Sequence, residues 1–278
     1  MAEVKNKKKF IIATILITYF IVFLCYNFYA DGFYKSNSST YGLSMFYTIN
    51  SFSNFLPFYI YLGFLATNFI PSQYYKNKYS KFQNFIITRV TNKGRTKYEI
   101  KKVLIYSFIF RILLHILVFF IINTFFVEIS FSFYKDPSYY PDGFFALSSN
   151  CFLSFILFII YSSIGFSIFS LFIYSLIYYI RNFYVYKISG IIMSIIGVFL
   201  PAFLGNLYLS ISNNYNSLVI GLLYLIYSGN LLSPGIDTLI YRPSILTTNI
   251  YFFVSCFGYL LISLILILIR YRKERKYD

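Results

Sequence analysis

Few residues in this chain have side chains that do chemistry, and two of them stand together. Arg111 and His115 are four apart in an apolar stretch, so on a helix they share one face. A guanidinium in hydrocarbon is costly, and where it persists it commonly marks a contact to substrate or partner. The plainer reading is that Arg111 snorkels: it lies nine residues from Lys102, and its long stem can carry the charge out to the headgroups. Two further sets are built of small residues. Ser163, Ser167 and Ser170 fall on one helical face, and Gly190, Ser194 and Gly197 on another. Such faces let helices approach closely. The alternative is a smooth wall along a substrate path, for which Arg111, His115, Ser163, Ser167, Gly190 and Ser194 are the candidate lining.

The usual catalytic constellations are missing. His115 is the single histidine, so H-E-x-x-H cannot occur. Cys25, Cys151 and Cys256 are far apart, in apolar surroundings and outside any C-x-x-C pair, which reads as packing rather than metal binding. There is no G-x-x-x-x-G-K-[ST] phosphate loop. No Asp or Glu sits in the middle of an apolar block, where a proton relay or an aspartyl protease would need one. Ser167 follows Gly165 and Phe166 but is not in a G-x-S-x-G elbow. The expectation is a chain that is not an enzyme, with no catalytic, metal-binding or cofactor-binding residue.

The elements around these residues are long and apolar. Of 278 residues, 58% are hydrophobic and 12% charged, against about 45–50% and about 25% in a soluble domain. Six blocks approach or exceed the roughly 20 residues that cross a bilayer as helix: 10–29, 52–70, 103–127, 151–180, 188–211 and 248–269. The pattern predicts an all-α polytopic membrane protein, one transmembrane domain over residues 1–278. The block 151–180 is long for one crossing, so it tilts, extends beyond the membrane or breaks near Gly165. Residues 30–51 read as a polar connector.

The net charge of +15 would suggest nucleic acid in a soluble protein. Here its placement points to topology and not to nucleic acid. With the N-terminus inside, twenty basic residues fall on the inner side and three, Lys35, Lys135 and Arg242, on the outer side. Both termini are then cytoplasmic. The 15-residue apolar run 218–232 is too short to cross, ends in Ser233-Pro234-Gly235, and would turn the C-terminal basic cluster outward if it did. It is expected to be re-entrant or interfacial, between the fifth and sixth spans. Heavy use of Ile, Phe, Tyr, Asn and Lys suggests an AT-rich bacterial genome, hence a bacterial cell membrane.

The segment 72–102 carries nine basic residues and one acid, Glu99. Within it Phe82, Phe85, Ile86 and Val90 follow helical spacing, Arg89 adjoins them, and Asn92-Lys93-Gly94 reads as a stop and turn.

This layout resembles the membrane-spanning permease subunit of ABC-2 type ABC exporters. The likeness rests on six spans with both ends inside, on the basic loop YYKNKYSKFQNFIITRVTNKGRTKYEIKK between spans two and three, on an acidic outer loop after span three, and on the hairpin SLVIGLLYLIYSGNLLSPG before span six. The resemblance implies that the loop supplies a coupling helix docking on a separate ATPase, through Phe82, Phe85, Ile86, Arg89 and Val90. It implies two ATPase subunits that hold the ATP and magnesium, and a second permease, a copy or a homologue. The cargo expected is an amphipathic peptide or a lipophilic compound, exported or resisted. The alternative is a membrane sensor or assembly partner whose basic loop binds lipid or protein, with the same face lying on anionic headgroups.

Overall fold

The computed structural model describes residues 15–27, 29, 41–50, 55–69, 71–79, 92–131, 147–148, 150–212, 216–235 and 247–274. Among the described residues every regular element is helical. In chain order they are α1 (Ile15–Asn27), α2 (Tyr41–Ile49), α3 (Phe55–Asn68), α4 (Pro71–Tyr79), α5 (Asn92–Phe125), α6 (Cys151–Ser175), α7 (Phe183–Ser212), α8 (Ser217–Tyr224), α9 (Gly229–Leu232) and α10 (Thr248–Glu274).

Four apolar segments are long enough to cross a bilayer: Gly94–Phe125, Cys151–Tyr178, Phe183–Ser212 and Asn249–Ile269. The shortest has 21 residues, about 32 Å at about 1.5 Å per residue, against a hydrocarbon core of about 30 Å. Four such helices are consistent with a multi-pass membrane protein. The long helices expose many Ile, Leu and Phe and bury most of their serines, the inverse of a soluble fold.

The first two expected spans are described only in part. In the first block the described helix is Ile15–Asn27, held to α3 by Phe20 stacked on Tyr61 at 5.0 Å; residues 10–14 of that block lie outside the described residues. In the second block the described helix is α3, of 14 residues, about 21 Å; residues 52–54 and 70 lie outside the described residues. A further helix, α2, lies inside the stretch read as a polar connector. Leu43, Met45 and Phe46 of α2 are fully buried. The Asn/Ser run at 36–40 misleads, because from Tyr41 onward the only polar residues are small ones that a helix can bury. Gly42 seats α2 against the end of α5, where a Cβ would stand 2.6 Å from the Glu128 carbonyl oxygen. Pro57 falls in the first turn of α3, where no intrahelical N–H is needed.

Two other boundaries move. Asn92-Lys93-Gly94 is helical, the first residues of α5, and not the turn expected there, so the basic residues from Lys93 on run straight into the membrane helix. The block 151–180 passes Gly165 as regular helix and breaks later, through a 3-10 turn at Leu176–Tyr178. Asn182 then starts α7, its Oδ1 accepting from the amides of Tyr184 at 2.9 Å and Val185 at 3.3 Å.

Side-chain contacts fix the helix directions. Along α3 and α7, Tyr59 meets Ser194, Gly63 meets Gly190 and Asn68 meets Lys187, so the two run antiparallel. Along α6 and α10, Tyr161 meets Phe252, Phe172 meets Tyr259 and Tyr179 meets Leu266, so these two run parallel.

Candidate functional site

Arg111 and His115 face inward at 2% and 0% exposure, so Arg111 does not snorkel. The reason is the short helix α2, whose last residues stand opposite Arg111. Arg111 Nη2 donates to Asn50 Oδ1 at 3.3 Å, and Asn50 Nδ2 donates to the Phe46 carbonyl at 2.9 Å. A guanidinium thus sits at the carbonyl pole of a helix that stops inside the bundle, the end that favours a cation. One turn further along α5, His115 Nε2 and Ser162 Oγ are 2.5 Å apart, with the rings of Phe46 and Phe158 at 5.8 and 5.6 Å. His115 Nδ1 and the Tyr61 hydroxyl are buried without a hydrogen-bond partner among the described residues. Tyr61 lies within electrostatic range of Arg111. The cluster of Asn50, Tyr61, Arg111, His115 and Ser162 offers one cation and several neutral donors, a set suited to the carboxylate or phosphate of an amphipathic molecule.

The other candidate path residues lie elsewhere. Ser163 and Ser167 turn their hydroxyls back onto the carbonyls of Ile159 and Ile164, both at 2.7 Å. Gly190 and Ser194 belong to the seam between α3 and α7. A Cβ at Gly190 would come 2.1 Å from the Gly63 carbonyl oxygen, the Gly190 amide donates to Thr67 Oγ1 at 3.0 Å, and Ser194 Oγ donates to the Tyr59 carbonyl at 2.9 Å. Ser162 was the missed partner. Its neighbour Ser163 has the conspicuous four-residue spacing, yet Ser162 shares its face with Phe155 and Phe158, the rings that pack on Phe46.

A second construction receives the segment 218–232, which is two short helices with a break at 225–228 and not one continuous helix. Pro201 in α7 has no N–H, so the carbonyl of Gly197, four residues back, loses its helical partner. That carbonyl accepts the Ser228 amide at 2.9 Å. Gly197 also has to be glycine, because a Cβ there would stand 2.7 Å from the Ser228 Cβ. Gly165 of α6 does the same for Leu231, whose carbonyl oxygen would be 2.0 Å from an added Cβ. From the other side, Asn230 Nδ2 donates to the Tyr224 carbonyl at 2.7 Å, Ser255 Oγ to the Leu225 carbonyl at 2.8 Å, and the Tyr259 hydroxyl to the Ile226 carbonyl at 2.9 Å. The carbonyls that α8 leaves over at its end are thereby satisfied inside the bundle.

The third construction is at the opposite end, where α4 and α5 bracket the basic segment. Glu99 is 7% exposed; its Oε1 accepts from Arg95 Nε at 2.8 Å, and its Oε2 accepts from the Tyr174 hydroxyl at 2.6 Å. The Tyr74 ring meets Tyr174 edge-on at 5.9 Å. Burial, with the Glu99 charge adding, pushes the Tyr74 hydroxyl up to about 12, so it stays protonated at neutral pH. On α4, Tyr75 stacks on Tyr186 at 4.8 Å and donates its hydroxyl to the Arg181 carbonyl. Both feet of the basic segment are thus bolted to the α6–α7 junction. Phe82, Phe85, Ile86, Arg89 and Val90 lie outside the described residues.

Cys25, Cys151 and Cys256 are free thiols and buried. Among the described residues no three His, Cys, Asp or Glu side chains gather as a metal site requires. No protein-family model, curated protein or solved structure matches the chain.

Proposed function

We propose that the chain is the membrane-spanning permease subunit of an ATP-driven exporter of the ABC-2 kind, carrying an amphipathic peptide or lipophilic compound out of a bacterial cell. ATP and magnesium belong to a separate pair of ATPase subunits, and a second permease completes the pathway. Six crossings are formed by α1, by α2 and α3 in succession, and by α5, α6, α7 and α10, with both termini cytoplasmic. The α8–α9 segment enters and leaves on the outer side.

The observation that carries this reading is the fastening of the basic segment. Its flanking helices hold the α6–α7 junction through Glu99–Tyr174 on one foot and Tyr75–Tyr186 on the other. A push from a cytoplasmic motor that is carried to either foot therefore reaches two membrane helices. The polar cluster around Arg111 supports an amphipathic cargo, since it places a cation and neutral donors among aromatic rings. The α8–α9 segment supports the re-entrant assignment: it follows the end of α7, reaches in as far as Gly197 and Gly165, and is followed by α10, which starts at the same end of the bundle as α6.

The test is made at the cytoplasmic face. Phe82→Ala and Phe85→Ala should each weaken co-purification of the ATPase by about 1–3 kcal/mol, the scale of a buried anchor, and lower substrate-stimulated ATP hydrolysis with normal membrane insertion. Wild-type association and hydrolysis in both variants would overturn the docking face. Labelling of a cysteine placed at Lys93 from outside intact cells would overturn the orientation.

A further inference from the structure

Where α4 meets α7, two lysines converge on one ring. Lys187 Nζ stands 4.8 Å from the centroid of Phe183 and Lys76 Nζ 5.4 Å from it. They come from different helices and are brought together by Tyr75, which packs on both Phe183, at 5.3 Å, and Tyr186. Neither lysine forms an ion pair among the described residues. Arg181, exposed on the link just before Phe183, adds a third positive charge, and the N-terminal pole of α7 has the same sign. The Phe183 ring offsets the repulsion of two ammonium groups only in part; an anion bound to both would remove it.

We infer that this corner holds the phosphate of an anionic phospholipid. The chemistry of the headgroup site alone would also suit free phosphate, and the surface beside it decides between the two. Beside Lys187 the residues Tyr184, Ile188, Ile192 and Ile196 of α7 are exposed and recur every four positions, each step about 40° further round, so they form an apolar strip that starts next to Lys187 and winds round the helix into the hydrocarbon. A phosphate seated at Lys76 and Lys187 has its acyl chains laid on that strip. Free phosphate would leave the strip unused. Basic pockets between membrane helices at the headgroup level are the recognised form of such sites. The inference stands apart from the proposed transport activity and needs only that the chain is a membrane protein.

The full-length protein is purified in mild detergent, given phosphatidylglycerol or phosphatidylcholine of matched chains, and weighed intact by native mass spectrometry. One phosphatidylglycerol should remain per chain under conditions that strip phosphatidylcholine. Lys76→Gln with Lys187→Gln should lower its retention about thirty-fold, about fivefold for each lysine near a charged headgroup, and Lys76→Arg with Lys187→Arg should restore it. Lys97→Gln with Lys101→Gln, on exposed positions of α5, should leave it in place. Equal retention of phosphatidylcholine, wild-type retention in the double Gln variant, or equal loss in the α5 variant would each overturn the site. Displacement of the lipid by millimolar inorganic phosphate would overturn the lipid in favour of a free anion. Unchanged elution volume and helical circular dichroism show that the variants are folded.

Discussion

Pro201 and Gly197 illustrate how much a single residue pair can specify. The proline frees a carbonyl, the glycine opens the space in front of it, and the amide of Ser228 fills both. Gly197→Ala should therefore destabilise the protein by about 1–3 kcal/mol, the usual cost of forcing atoms into a filled site. Gly205→Ala, eight residues along the same helix with nothing within 4 Å of an added Cβ, should be neutral or stabilising by up to about 1 kcal/mol. Unfolding midpoints of the two variants in one detergent check the contrast, and equal midpoints would contradict the assignment. The sequence made both glycine and proline visible, but as a small-residue face and an interruption. Their joint purpose was not legible, because the partner lies 31 positions further on. Arg111 was misjudged for a related reason: snorkelling is reasoned from distance along the chain, and what keeps Arg111 inside is a helix sixty residues earlier.

Among the elements, the long helices were legible and the short ones only partly. α5, α6, α7 and α10 announce themselves by unbroken apolar length, and 218–232 by being too short to cross; its break at 225–228 falls before the Gly229-Asn230 pair and carries no mark of its own in the sequence. α2 stayed hidden. At nine residues it is too short to signal by length, and its polar approach at 36–40 draws the eye. Asn230 is the residue on which the α8–α9 element turns, donating to both the Tyr224 carbonyl and Ser255 Oγ. Asn230→Leu keeps the size and removes both donated bonds, at a cost of about 1–3 kcal/mol for two net hydrogen bonds; the Tyr224 carbonyl keeps the Tyr227 amide at 3.1 Å. Thermal unfolding should show that loss. In the same variant a cysteine introduced at Leu222, exposed in the native fold, should keep its reactivity while one at Leu232, fully buried, gains it. Continued protection of position 232 would show that Asn230 is not what holds the turn.

Taken whole, the molecule has two ends of opposite construction. One end ties basic helices to the α6–α7 junction with a carboxylate and tyrosines; the other folds a short helical pair into the bundle on leftover carbonyls. The charge count across the apolar blocks already separated these ends, since basic residues crowd one of them, but nothing in the pattern could show that Glu99, the lone acid of the basic segment, would be buried as its anchor. Tyr174→Phe tests that anchor. It removes the donor to Glu99 Oε2 and should cost about 1.5–3 kcal/mol, the range for a hydrogen bond to a charged group, read as a lower unfolding midpoint with an unchanged helical spectrum. An unaltered midpoint would mean that the Glu99 foot of the segment is held by packing alone.

The way the α8–α9 pair is closed also sets a schedule for the chain's synthesis. The donors to Leu225 and Ile226 are Ser255 and Tyr259, which leave the ribosome about thirty residues later. Until they arrive those carbonyls have no partner, and hydrocarbon tolerates no such backbone without a cost of several kcal/mol. The pair must therefore wait in a wet place, at the headgroups or inside the insertion machinery, until the final helix is threaded. Assembly of this protein is completed backwards: a helix made later admits the segment made before it, and a nascent chain cut short of Thr248 has three of the four long helices in place and a short helical pair with nowhere to go.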